Sequence, residues 1–173
     1  DRCSLRCSYC MPAEGLPWIP RGELLRDDEL ARLAALFVRL GVDTVRLTGG
    51  EPLLRPGLPG IVAMLAGLDP APEISLTTNA IGLSHLAAPL AAAGMNRINI
   101  SLDTLDRERF HAITRRDRLD DVLEGIEAAA AAGLAPPKIN TVLARGVNDA
   151  EAPALLSWAL RRGYQLRFIE HMP

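Results

Sequence analysis

The chain has 173 residues, 49% of them apolar but only 4% aromatic, and a net charge of −2. That is the length of one domain, with apolar mass enough for a core built from Leu, Ile, Val and Ala rather than rings. The near-neutral charge leaves no electrostatic footprint for nucleic acid or an anionic membrane, and no apolar run approaches the ~20 residues that cross a bilayer.

All three cysteines, Cys3, Cys7 and Cys10, stand in the first ten residues. Thiolates that close suit neither a disulfide framework nor a complete four-ligand zinc site. They suit a cluster of four irons in which three are held by protein and one is open. Two alternatives stand beside this reading. One is a zinc site completed by His85, His111 or His171, none of which is next to the loop in sequence; the other is a redox-sensing thiol trio. Arg2 and Arg6 are expected to help keep the thiolates deprotonated. An odd, clustered set of cysteines points to a reducing compartment, hence the cytoplasm.

Past a Pro- and Gly-rich stretch (Pro12 to Gly22), helix-like and strand-like segments alternate. Asp27-Asp28 can cap a helix with apolar positions Leu30, Leu33, Ala34, Phe37 and Leu40, ending at Gly41. A strand over Thr44–Thr48 leads into the turn Gly49-Gly50-Glu51-Pro52. Then come a helix near Leu58 to Leu68, a strand Glu73–Thr78, a helix Leu83–Ala93 and a strand Arg97–Ser101. A helix Leu119–Ala132, a strand Lys138–Leu143, a helix Asp149–Arg162 and a strand Gln165–Glu170 complete the series. His85 and His111 are expected on helices, solvated. Asp103 and Asn148-Asp149 read as caps.

Strands alternating with helices over short loops imply parallel pairing. A doubly wound sheet and an open part of a (β/α) barrel both fit that order. Polar residues recur inside the strands: Arg46 and Thr48, Ser75 and Thr77, Asn99 and Ser101, Lys138 and Asn140, Arg167. Strands buried on both faces are nearly continuously apolar. The alternation favours an α/β fold of the partial, open TIM-type barrel kind, with a wet concave face.

Arg46 and Lys138 are cations inside strands, where an unpaired charge is costly to bury. Either a phosphate chain or an acid such as Glu51 or Glu170 can supply the counter-charge.

The spacing C-x3-C-x2-C, with Tyr9 just before the last Cys, resembles the radical S-adenosylmethionine (SAM) superfamily. Gly49-Gly50-Glu51-Pro52 after a strand matches that superfamily as well. A narrower resemblance, to the GTP 3′,8-cyclase family of molybdenum cofactor biosynthesis, runs along the whole chain. It is carried by Cys10–Gly15, Arg46–Leu53, Leu76–Asn79, Ile100–Leu105, Lys138–Asn140, Arg145–Asp149 and Arg167–Pro173. Arg115 departs from it, since that family usually has Gly there.

The resemblance implies a [4Fe-4S] cluster on Cys3, Cys7 and Cys10, whose open iron chelates SAM and whose electron releases a 5′-deoxyadenosyl radical. That radical would take hydrogen from C3′ of GTP, and the sugar radical would attack C8 of guanine. Tyr9, Gly50, Glu51, Ser101 and Met172 fall where the family contacts SAM; Arg46, Thr77 and Lys138 fall where it contacts GTP. The implied partners are GTP, a one-electron reductant and, for the full-length form, a homodimer; neither nucleic acid nor a membrane is implied. Residues 1–173 read as an incomplete radical SAM core, truncated at both ends. The first barrel strand and the C-terminal region holding a second [4Fe-4S] cluster are expected only in the full-length protein. Such a piece, with open sheet edges, is expected to be poorly soluble and to form a cluster without cyclising GTP.

Overall fold

The structure, a computed structural model, describes residues 2–134 and 136–171. Five parallel strands form one sheet: β1 (Thr44–Leu47), β2 (Glu73–Thr78), β3 (Arg97–Ser101), β4 (Lys138–Leu143) and β5 (Gln165–Glu170). Their order in the sheet is their order in the chain. A doubly wound sheet reverses direction at a switch point. With no reversal here, the sheet winds one way only, as the wall of a barrel does, and it does not close.

The helices are α1 (Asp27–Arg39), α2 (Leu58–Ala66), α3 (Leu83–Ala92), α4 (Arg107–Thr114), α5 (Leu119–Ala131) and α6 (Ala152–Arg162). One face of the sheet is apolar. Ile74, Leu76, Ile98, Ile100 and Ile139 are buried there against Ile61 and Val62 of α2, Leu83 and Leu90 of α3, and Val122 and Ile126 of α5. Because side chains alternate along a strand, the other face carries the polar set. In register, Arg46 lies beside Ser75; Thr77, Asn99 and Lys138 form the next row; Ser101, Asn140 and Arg167 form the row above. The alternation seen in the sequence is thus the division between core and concave face.

Strand bounds agree with the sequence reading to within one residue. The first helix is capped differently from the expectation. Its N-cap is Arg26, whose backbone N–H donates to Glu29 Oε2 at 2.8 Å, while Asp27 accepts from Arg55 at 2.6 Å. The helix expected over Asp149–Arg162 begins as a 3-10 turn, Asp149–Glu151, before α6 starts with Pro153 in its first turn. The stripe on α1 is only partly covered: Leu30 and Ala34 pack on the core, whereas Phe37 is 53% and Leu40 74% exposed. Among the described residues, no helix is long and apolar enough to cross a membrane.

Candidate metal and cofactor site

The cysteine loop is held at the C-terminal end of the sheet. Leu5 buries its side chain in the core, and Cys3 and Cys7 pack partly against it. The Arg6 and Ser8 N–H groups donate to Thr114 O (2.9 Å) and Ile113 O (2.8 Å), carbonyls left unpaired at the end of α4. On the other side, Glu51 N–H donates to Arg2 O at 2.6 Å. Within the loop, Cys10 and Met11 N–H both donate to Cys7 O. Asn79, just past β2, donates through Nδ2 to Ser4 Oγ at 3.0 Å and approaches Cys3 Sγ at 3.9 Å.

Glu51 is almost wholly buried. Its carboxylate accepts from Leu53 N–H (3.0 Å), Thr78 Oγ1–H (2.6 Å) and Asn79 N–H (2.7 Å), joining the Gly-Gly-Glu-Pro turn to the end of β2. Burial raises its pKa, and the three hydrogen bonds pull the other way. A carboxylate has about four acceptor positions, so one remains for a ligand.

Tyr9, between the second and third cysteines, donates to Asp103 Oδ2 at 2.6 Å. Asp103 Oδ1 accepts from Val142 N–H at 2.9 Å. Asn148 Nδ2 donates to Asp103 O and Val142 O, both at 2.8 Å, and its Oδ1 accepts from Ala144 N–H at 2.8 Å. Asp103 is therefore not the helix cap expected of it, and Asn148, though at the N-cap position of the 3-10 turn Asp149–Glu151, makes no capping hydrogen bond with its side chain. They tie the loop to the ends of β3 and β4, and Asp106 caps α4 instead, accepting from Arg109 N–H at 2.7 Å.

Burial pushes the Cys7 thiol up to about 12, with the charges of Asp103, Cys10 and Cys3 adding to it. Neither Arg2 nor Arg6 opposes this. Arg2 lies over the Trp18 ring, and Arg6 donates to Cys3 O and Leu5 O, both at 2.8 Å. Their expected role in deprotonation is not seen at Cys7. Metal ions bonded to sulfur are what would hold such crowded thiolates.

One cavity of about 280 Å³ is lined by Cys3, Cys7 and Cys10 together with Tyr9, Gly50, Glu51, Thr77 and Ser101. Arg46 and Lys138 are not on its wall. They stand on the same polar face, Lys138 in the row of Thr77 and Arg46 one row below. Neither forms an ion pair among the described residues, so the alternative of a bridge to Glu51 or Glu170 is not realised. Met172 lies outside the described residues. A second cavity of about 240 Å³ lies on the far side of Tyr9, between Asp103, Val142, Asn148 and His171.

The three thiols are free, and they share one cavity. The fold does bring His171 to Tyr9, ring centroids 6.0 Å apart. Among the described residues no trio of His, Cys, Asp or Glu is arranged to hold a single metal ion. A cubane binds each thiolate through a different iron, so its ligands need not converge on one point. The donor set fits a [4Fe-4S] cluster, which Cys3, Cys7 and Cys10 would hold and whose fourth iron would have no cysteine ligand among the described residues.

Sequence reasoning singled out the cysteines and the glycine turn but missed Asp103 and Asn148 as parts of the site. Their polarity was visible; their long-range partners were not.

Comparison with known proteins agrees with this geometry. The GTP 3′,8-cyclase of Streptomyces coelicolor is 59% identical over all of this chain, which covers 51% of that protein. The GTP 3′,8-cyclase of Paenarthrobacter nicotinovorans is 56% identical, with 100% of this chain and 49% of that protein covered. The chain thus spans about half the length of the curated relatives it matches. Streptococcus suis SuiB bound to S-adenosylmethionine superposes with a TM-score of 0.78 at 19% identity, over 99% of this chain and 39% of SuiB. The model of the radical SAM superfamily matches residues 1–159. With the cysteine loop, the Gly-Gly-Glu-Pro turn and the open barrel wall in place, the chain belongs to the radical SAM superfamily.

Proposed function

We propose that this chain is the SAM-cleaving core of a GTP 3′,8-cyclase, the enzyme that converts GTP to (8S)-3′,8-cyclo-7,8-dihydroguanosine 5′-triphosphate in the first step of molybdenum cofactor biosynthesis. The observation that carries it is 59% identity to such a cyclase over the full chain. In this reading Cys3, Cys7 and Cys10 hold a [4Fe-4S] cluster. When bound, the cluster supplies the electron that cleaves SAM to a 5′-deoxyadenosyl radical. Tyr9, Gly50, Glu51, Ser101 and Met172 receive SAM, and Arg46, Thr77 and Lys138 receive GTP.

The chain's own residues orient and exclude. The remaining acceptor position on Glu51 suits an ammonium group of SAM. The charges of Arg46 and Lys138, neither in an ion pair among the described residues, suit a triphosphate, which guanidinium grips in a fork. Asp103 fixes Tyr9 between the two cavities. A one-electron reductant completes the partners, and the cytoplasm is the compartment in which such thiols stay reduced. A second cluster, and turnover itself, belong in this reading to the part of those relatives that this chain does not span.

Anaerobic loading with iron and sulfide tests it. The expected result is cluster absorbance, with SAM perturbing the spectrum and no cyclised GTP from this chain alone. Zinc bound in preference to iron overturns the cluster reading. Cyclised product from the 173-residue chain overturns the division of labour.

A further inference from the structure

At the C-terminus of α4, Arg115 has φ 56° and ψ 27°, the left-handed conformation that costs a side-chain-bearing residue free energy and favours glycine. The strained backbone turns the side chain onto the cysteine loop. Its Nη1 lies 2.8 Å from Arg6 O and 3.5 Å from Met11 O. Those two carbonyls bracket the segment from Cys7 to Cys10. The guanidinium enters no ion pair among the described residues, so the loop is its partner. Around it, Arg6 and Ser8 N–H already dock on Thr114 O and Ile113 O, which sets where the loop sits but does not close its mouth.

We propose that Arg115 is a positioning residue that ties the two ends of the Cys7–Cys10 segment together and so limits how readily the loop opens and releases iron. The loop-closing part needs no metal; the iron-retaining part rests on the cluster reading above. Glycine and asparagine both accept the left-handed backbone, and neither reaches Arg6 O or Met11 O. Arg115→Gly and Arg115→Asn therefore remove the tie while keeping the turn.

Two measurements decide the matter. In the iron-free protein, amide hydrogen exchange at Cys10 and Met11 is expected to speed up about fivefold or more in both variants, with exchange in β2 and β3 unchanged. In the iron-loaded protein, loss of cluster absorbance to a ferrous chelator is expected to speed up by about the same factor. Exchange at Cys10 and Met11 equal to wild type in both variants overturns the tie, as does an equal acceleration throughout the sheet. Iron loss at the wild-type rate overturns its role in retention. If wild type takes up no iron, the cluster reading fails and the exchange data alone decide the tie.

Discussion

The hydroxyl of Tyr9 and the carboxylate of Asp103, 94 residues apart in sequence, meet at 2.6 Å between the two cavities of the site. Burial and the Asp103 charge raise the Tyr9 pKa, so Tyr9 stays the donor. Tyr9→Phe leaves Asp103 Oδ2 buried without that partner and is expected to cost about 1–3 kcal/mol. Asp103→Ala removes the acceptor as well as the anchor on Val142 N–H. A double-mutant cycle by denaturant unfolding of the iron-free chain is expected to return a coupling of about 0.5–3 kcal/mol. A coupling indistinguishable from zero would show that the two side chains stand independently.

Glu51 gives the fold a pH dependence of definite sign. Burial raises its pKa above the ordinary 4.5. The folded state therefore holds the proton more tightly than the unfolded one. The stability this linkage contributes is complete below the unfolded pKa and lost as pH rises through the folded one. The stability of wild type relative to Glu51→Gln is expected to fall as pH climbs from about 4.5 upward, levelling off above the raised pKa. Unfolding midpoints of both proteins across that range measure it, and a flat difference would contradict the assignment.

Alternation of polar and apolar residues within each strand made both the strands and the concave face legible in the sequence, because period two maps directly onto the two sides of a sheet. The Cys3, Cys7 and Cys10 spacing was equally legible, being local. What stayed hidden depended on distance in space. Asp103 looked like a cap, since short acids near helix starts usually are; its true partners, Tyr9 and Val142, come from other elements. The apolar stripe of α1 promised a buried face, yet a stripe says only that a face is sticky. It does not say what is there to cover it.

Gly125 sits in α5 where a helix would ordinarily gain about 1 kcal/mol from alanine. Here a Cβ would lie 2.5 Å from Ala80 O and 3.1 Å from the Cβ atoms of Ala80 and Leu83. Ala80 is itself left-handed, φ 66°, and directly follows Asn79, which braces the cysteine loop. Gly125→Ala is expected to destabilise by about 1–3 kcal/mol, the cost of overpacking, and to disturb Asn79 with it. Thermal unfolding measures the first effect. An increase in midpoint would show that α5 can shift without cost.

Exposed Phe37 on α1 and Leu40 just past its C-terminal end stand a few residues before β1, an edge strand of the sheet among the described residues. Apolar surface next to an open edge favours self-association. The chain is expected to elute above its monomer size, and Phe37→Glu with Leu40→Glu to shift it toward monomer. An unchanged profile would place the adhesive surface elsewhere, such as Phe168 and Ile169 on β5.

Arg46 and Lys138 separate function from stability. Each carries a charge that no acid balances among the described residues, on the polar face beside Ser75 and Asn99. Removing a cation that serves the fold weakens the fold; removing one held ready for an anion does not. Arg46→Ala and Lys138→Ala are expected to leave unfolding midpoints within about 0.5 kcal/mol of wild type. Each is also expected to weaken GTP binding about 10–100-fold, as the loss of charge-assisted hydrogen bonds to phosphate would. Calorimetric titration with GTP and with guanosine distinguishes the cause. The loss should appear for GTP and vanish for guanosine, and an equal loss for both would remove the triphosphate from this face.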